Sequence, residues 1–192
     1  MTPEDEDERG LVLAAQSGDR RAFEQLVRRY KASLYRLARR YVGDADEAYD
    51  IVQDTFVSSW LGLGRFDARA PFPAWLRTIA LNKCRDRGRR LAVRRRLLAL
   101  FAAEAPGPVP PAGPGEDPER QLQRRLQCLD REIANLPAHY KEPLLLILGG
   151  GLTQQQATEQ LGTSAKAIEL RLRRARKRLA AALGTAGWDA EG

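Results

Sequence analysis

Residues 152–179, LTQQQATEQLGTSAKAIELRLRRARKRL, decide the fold of the C-terminal half and set the reading of the rest. Thr153 with Gln156 three residues on has the form of a capping box, which opens a helix by satisfying orphan backbone N–H groups. That helix runs to Leu161. Gly162 supplies a turn, and Thr163 or Ser164 can cap a second helix. In the second helix Ile168, Leu172, Ala175 and Leu179 recur on one face at about 100° per residue. Lys166, Glu169, Leu170, Arg173 and Lys177 fall on the opposite face, with Arg171, Arg174, Arg176 and Arg178 on the flanks. Lys166 to Arg178 carries seven basic residues against one acid. A helix-turn-helix of this shape lays its second helix in the major groove, polar side chains aimed at base edges and arginines at phosphates. A solvated surface helix in an ordinary bundle would show the same charge. Cap, turn glycine and apolar register together favour DNA.

The whole chain agrees. Its 192 residues suffice for one or two domains, and a net charge of +7 with pI ≈ 9.8 favours a polyanionic partner. The charge is uneven: residues 4–8 are wholly acidic, and residues 41–64 hold five acids and no Lys or Arg. Basic residues concentrate in 77–96 and 166–178. Two distant cysteines, Cys84 and Cys128, and a single histidine, His139, offer neither metal-ligand spacing nor a disulfide framework. No metal and no cofactor is expected, and a reducing, cytoplasmic setting is. The acidic N-terminus predicts no signal peptide, and the longest apolar run, Leu144 to Leu148, is too short to insert in a membrane.

Taken in order, residues 1–10 read as an acidic N-terminus, disordered or at most the frayed start of a helix over residues 1–9. Asp19 can cap a helix whose Ala22, Phe23, Leu26, Val27, Tyr30, Leu34, Leu37, Ala38 and Tyr41 face a core, ended by Gly43 and Asp44. The next helix, about Asp46 to Leu61, turns Ala48, Ile51, Val52, Thr55 and Phe56 inward. Asp46, Asp50, Gln53 and Asp54 share its outer face with Val57. An acidic stripe without interleaved cations forgoes i,i+4 support, so it reads as a docking surface for a basic partner or as a merely solvated face. A loop with Arg65, Phe66, Asp67 and Arg69 precedes a third helix from about Pro73. Trp75, Leu76, Ile79, Ala80 and Cys84 suit its buried side.

From Arg77 to Arg96 there are nine basic residues and one acid. Aromatics beside such a helix can form a platform for single-stranded nucleic acid; they can equally be core, the reading preferred for Trp75. Residues 102–118 hold six prolines and three glycines in seventeen positions and read as a linker. Its reach is about 23 Å as a coil and about 50 Å as extended polyproline. Beyond it a helix runs from Pro118 to Leu136 with Leu122, Leu126, Leu129 and Ile133 inside. A short helix over His139 to Leu148 follows, then the helix-turn-helix and a frayed tail. The fold class is all-α: two small helical domains, the second a helix-turn-helix of winged-helix-like type, joined by a Pro/Gly-rich linker.

These segments in this order resemble bacterial RNA polymerase sigma factors, the small extracytoplasmic-function type of the sigma-70 family. The carriers are FEQLVRRYKASLYRLARRYVGD, EAYDIVQDTFVSSW, RFDARAPFPAWLRTIALNKCRDRGRR, LDREIANLPAHYKEPLLL and the helix pair above. The resemblance implies a region 2 domain over 11–96, a linker over 97–118, a region 4 domain over 119–183 and a tail over 184–192. Asp50, Gln53 and Asp54 match the helix that docks on the clamp coiled coil of the largest polymerase subunit; Asp46 and Val57 share that face. The Phe66, Asp67 and Arg69 loop with Asn82, Arg85 and Arg89 matches the elements that open and read the −10 promoter element, and Arg77 joins them from the same basic stretch.

Lys166, Glu169, Arg171, Arg173 and Arg174 match the helix reading the −35 element, flanked here by Ser164, Leu170 and Lys177. The implied function is promoter-specific initiation with core polymerase, without catalysis of its own and under a cognate anti-sigma factor in a stress response. Five residues in three places depart from the family pattern. Tyr49 stands for a carboxylate, Ala157-Thr158 for Ile-Ala and Lys166-Ala167 for Gly-Thr. Two other readings stay open on residues alone: a dimeric helix-turn-helix regulator acting without polymerase, and a metal-dependent nuclease using the acidic helix.

Overall fold

The computed structural model describes residues 3–101 and 117–183, and every regular element among them is helical. The chain divides into two compact units, Met1–Arg87 and Gly88–Gly192.

In the first unit, α1 (Pro3–Gln16), α2 (Arg20–Val42) and α3 (Ala45–Gly62) pack in sequence, α1 on α2 and α2 on α3. Each boundary has a chemical cause. The Asp19 carboxylate accepts from the Arg21 and Ala22 N–H groups at 2.8 and 3.3 Å, and Gly43 closes α2 in the left-handed region at φ 77°. The Asp44 carboxylate caps α3 through the Glu47 N–H at 2.9 Å, while Asp46 and Glu47 suit the positive end of the helix dipole. The core is the face that periodicity predicts: Leu26, Leu34, Leu37, Ala38 and Tyr41 from α2, and Ala48, Ile51, Val52 and Phe56 from α3. Thr55 and Ser59 are also buried, their hydroxyls donating back to the Ile51 and Phe56 carbonyls at 2.6 and 2.8 Å.

The helix α1 is already formed at Pro3, so the acidic N-terminus is the start of a helix, the second of the two readings of that stretch. Two of its acids are engaged. Asp7 pairs with Arg29 at 2.6 Å and Glu8 accepts from the Tyr30 hydroxyl. Lower down, Val12 and Ala15 are buried, and the Gln16 amide donates to the Leu63 and Phe66 carbonyls at 2.9 and 2.7 Å. That amide holds the short 3₁₀ turn Leu63–Arg65 and the loop after it in place.

Helix α4 (Phe72–Phe101) runs five residues past the expected domain end at 96. Residues 91–101, LAVRRRLLALF, are nearly all strong helix formers, and the next proline is Pro106. Residues 102–116 of the expected linker, and the tail after 183, lie outside the described residues.

In the second unit α5 (Pro118–Asn135) starts at an Asp117 cap with Pro118 in its first turn. It is followed by α6 (Ala138–Leu144), a π turn over Leu145–Gly149, α7 (Gln154–Leu161) and α8 (Ala165–Ala182). Pro143 removes a ladder donor inside α6, and the backbone widens to π geometry directly after it. A side chain at Gly150 would meet the Leu146 carbonyl oxygen at 2.7 Å, so only glycine fits this close turn. Lys141 is buried and donates to the Ala134 carbonyl, tying α6 to the end of α5. Ile133, Ala134 and Leu136 are buried as the pattern requires, but Leu122 and Leu126 are 56% and 51% exposed rather than inside. Spacing marks an apolar stripe; α5 is anchored on this unit through its C-terminal half, leaving its first turns without cover among the described residues.

Candidate nucleic-acid and protein interfaces

The acidic face of α3 is built by phase. With Ala48, Ile51, Val52, Thr55 and Phe56 buried, Asp46, Asp50, Gln53, Asp54 and Val57 are all exposed, as the stripe requires. Leu61, one turn beyond Val57, extends the same row as an exposed apolar side chain and was not singled out by spacing. Tyr49 is also exposed, with the Lys31 ammonium of α2 lying 5.7 Å from its ring centroid. At the inner edge of the stripe, Arg87 of α4 reaches Glu47 at 2.8 Å and Asp50 at 3.7 Å. The Glu47 oxygen is enclosed, and its contact with the guanidinium is ionic rather than an aligned hydrogen bond.

The residues expected at the −10 element do not all share one surface. Asn82, Arg85 and Arg89 do: Asn82 and Arg89 are exposed, and the Arg85 guanidinium donates to the Asn82 amide oxygen at 2.9 Å. Asp67 and Arg69 are exposed at the loop tip, where the Asp67 carboxylate accepts from the Arg69 N–H at 3.0 Å and pairs with its guanidinium at 3.6 Å. Phe66 differs. Its ring is buried, stacked on Trp75 with centroids 4.6 Å apart and edge-on to Phe72 at 5.8 Å. The ring thus fills the core between the loop and α4 rather than standing open beside Asp67 and Arg69.

Arg77 also lies apart from the Asn82 face. It precedes Asn82 by five residues, about 140° around the helix, and is half-buried within the electrostatic reach of Glu8. Burial lowers its guanidinium pKa from the usual value, Glu8 opposes that, and its Nε is enclosed without a hydrogen-bond partner. Spacing could have flagged the phase of Arg77. Its acidic neighbour, eight residues from the start of the chain, needs the tertiary fold.

The helix-turn-helix forms as its sequence reads. Thr153 Oγ1 accepts from the Gln156 N–H at 3.2 Å, and the Gln156 side chain accepts from the Thr153 N–H at 2.9 Å. Gly162 takes the left-handed conformation at φ 58° and ψ 43°. Of the two candidate caps Ser164 is used, its Oγ accepting from the Ala167 N–H at 3.2 Å, which leaves its O–H to donate. Ile168, Leu172, Ala175 and Leu179 are buried and Ala157 of α7 is buried against them. Lys166, Glu169, Leu170, Arg173, Arg174 and Lys177 are exposed, and Arg171 is half-buried on the flank. Arg178, further along α8, lies over the Tyr140 ring at 5.1 Å and so braces α8 on α6.

No helix among the described residues is long and apolar enough to cross a membrane. Among those residues, no three His, Cys, Asp or Glu side chains are grouped so as to hold a metal ion.

Against known proteins, the family model described as Sigma-70 region 2 matches residues 26–94, and that for Sigma-70, region 4 matches residues 126–179. The chain is 41% identical to the RNA polymerase sigma factor CnrH of Cupriavidus metallidurans, over 95% of this chain and 97% of the relative. It is 31% identical to the ECF RNA polymerase sigma factor SigM of Mycobacterium tuberculosis, over 91% and 83%. The solved structure of CnrH in complex with the cytosolic domain of CnrY superposes with a TM-score of 0.67 at 32% identity, covering 94% of this chain and 99% of that one. The sigma factor RpoE of Bartonella quintana, in complex with the anti-sigma factor NepR, gives 0.62 at 25% identity, covering 86% and 98%. With both diagnostic regions matched in order and a relative covered nearly end to end, the chain belongs to the sigma-70 family as a sigma factor of the extracytoplasmic-function type.

Proposed function

We propose that this chain binds core RNA polymerase through the exposed face of α3 and directs it to promoters by two separate DNA contacts. The docking residues are Asp46, Asp50, Gln53, Asp54 and Val57, facing the basic clamp coiled coil of the largest subunit. Asn82, Arg85 and Arg89 with the Asp67–Arg69 loop engage the −10 element. Ser164, Lys166, Glu169, Leu170, Arg171, Arg173, Arg174 and Lys177 engage the −35 element, with the arginines on phosphate giving a steep salt dependence. The functional domains span 11–96 and 119–183. The protein acts in the cytoplasm, carries no catalytic chemistry, and is held inactive by a cognate anti-sigma factor. Support for that partner comes from two relatives, CnrH and RpoE, whose structures were solved with CnrY and NepR bound.

The observation that carries the reading is the segregation of charge. One helix exposes acids and no Lys or Arg along its outer row, while α4 and α8 expose basic faces. The test is in-vitro transcription with core polymerase and a genomic promoter library. Promoter-specific transcripts that require this chain are expected. A chain that gives no transcript from any template, yet shifts palindromic duplex without polymerase, would instead be a dimeric regulator.

A further inference from the structure

We propose that Arg87 is a positioning residue of the polymerase-docking face and not a contact to DNA. It lies in the basic stretch whose neighbours Arg85 and Arg89 are assigned to the −10 element, and its residue type alone would place it with them. Helix phase does not. Arg87 is two residues from each, about 200° around α4, so it points away from the face they share with Asn82. There it meets α3. Its guanidinium lies 2.8 Å from Glu47 and 3.7 Å from Asp50, two carboxylates one turn apart.

The burial of the three groups gives them different duties. The Arg87 and Glu47 side chains are only 27% and 23% exposed, whereas Asp50 is 60% exposed. Glu47 is thus the anchor and Asp50 the presented group. A planar guanidinium reaches both carboxylates at once, holding the Asp50 side chain on the stripe while part of its carboxylate stays open to a partner. The pair also ties the docking helix to α4, so the acidic and the basic surfaces of this unit are set against each other by one side chain.

The inference rests on the docking role of Asp50 proposed above. It is tested with the full-length chain and purified core polymerase, measuring Kd for Arg87→Gln, Arg87→Lys, Asp50→Asn and the Asp50→Asn/Arg87→Gln pair, with melting temperature beside each. Arg87→Gln is expected to weaken core binding about five- to tenfold, and Arg87→Lys to recover part of it, since an ammonium bridges two carboxylates poorly. The double variant should be little weaker than Asp50→Asn alone.

A purely electrostatic role gives the opposite sign, because removing a cation beside the stripe would tighten binding to a basic partner. Tighter or unchanged binding by Arg87→Gln, or full additivity with Asp50→Asn, overturns the proposal. So does a loss of −10 DNA affinity in Arg87→Gln holoenzyme with the salt slope reduced by about one, the mark of a phosphate contact. If Asp50→Asn leaves core binding unchanged, the docking role itself fails and the positioning role with it.

Should Arg87→Gln melt early from an uncompensated Glu47, the Glu47→Gln/Arg87→Gln variant removes that charge. It should fold and still bind core weakly. Binding at the wild-type level would overturn the proposal.

Discussion

Replacing Asp54 by lysine tests the docking face most cleanly, because Asp54 is exposed on the outer row of α3 and makes no ion pair among the described residues. The substitution therefore breaks nothing inside the fold. Asp50 stands one turn earlier, so the new ammonium would gain an i,i+4 partner that supports α3 by a few tenths of a kcal/mol. Effects on polymerase affinity can then be read as effects at the interface.

The magnitude follows from exposure. A solvent-exposed ion pair contributes about 0.2–1 kcal/mol, and reversing the charge replaces an attraction by a repulsion of similar size. The loss is then about 0.4–2 kcal/mol, or about two- to thirtyfold in Kd. It is screened by salt, since the Debye length falls from about 10 Å at 0.1 M to about 3 Å at 1 M. The assay is a titration of labelled full-length protein with core polymerase at low and high salt, about 0.05 and 0.5 M, a range over which that screening length shortens severalfold. Melting temperature, which should not fall, and −35 duplex binding, which should not move, serve as controls. Equal affinity of variant and parent at low salt would refute the docking assignment. A gap that does not shrink with salt would refute its electrostatic origin.

Other predictions address the two DNA faces and the core. Arg173→Ala should weaken binding to −35 duplex by about 1–3 kcal/mol more than to random duplex, measured by gel shift with holoenzyme; equal losses would make it a phosphate contact only. Ser164→Ala should lower the stability of the second unit by about 0.5–2 kcal/mol through loss of the α8 cap, read by denaturant melts. Leu172→Ala opens a cavity under α8 worth about 2–5 kcal/mol, so −35 recognition should fail while core binding persists; loss of both would mean the two units do not fold independently. Phe66→Ala should destabilise the first unit by about 3–5 kcal/mol because the ring is buried on Trp75. A normal melt with lost promoter opening would show instead that the ring acts on DNA.

Much of this protein was written locally. Asp19, Asp44, Thr153 and Ser164 mark helix starts, and Gly43 and Gly162 mark ends, because a cap needs only the two to four residues beside it. The inward faces of α2, α3 and α8 follow from the 3.6-residue period. The acidic row of α3 and the exposed basic face of α8 follow as their complements. Family resemblance added the roles, and both regions it named were matched.

What the sequence could not decide is which residues of one type face which neighbour. Three residues of the α4 basic stretch, Arg77, Arg85 and Arg87, look alike as a string. In the fold one is half-buried within reach of Glu8, one donates to Asn82 on the outer face, and one spans Glu47 and Asp50. Composition likewise cannot tell a stacking platform from a core, and Phe66 went to the core because Trp75 and Phe72 closed over it. The stripe on α5 erred the other way: Leu122 and Leu126 have the period of a buried face with nothing folded onto it among the described residues. Period and caps are properties of a segment, so the sequence alone determined the helices and their two faces. Partners are properties of packing between segments far apart in the chain, and only the tertiary structure assigned them.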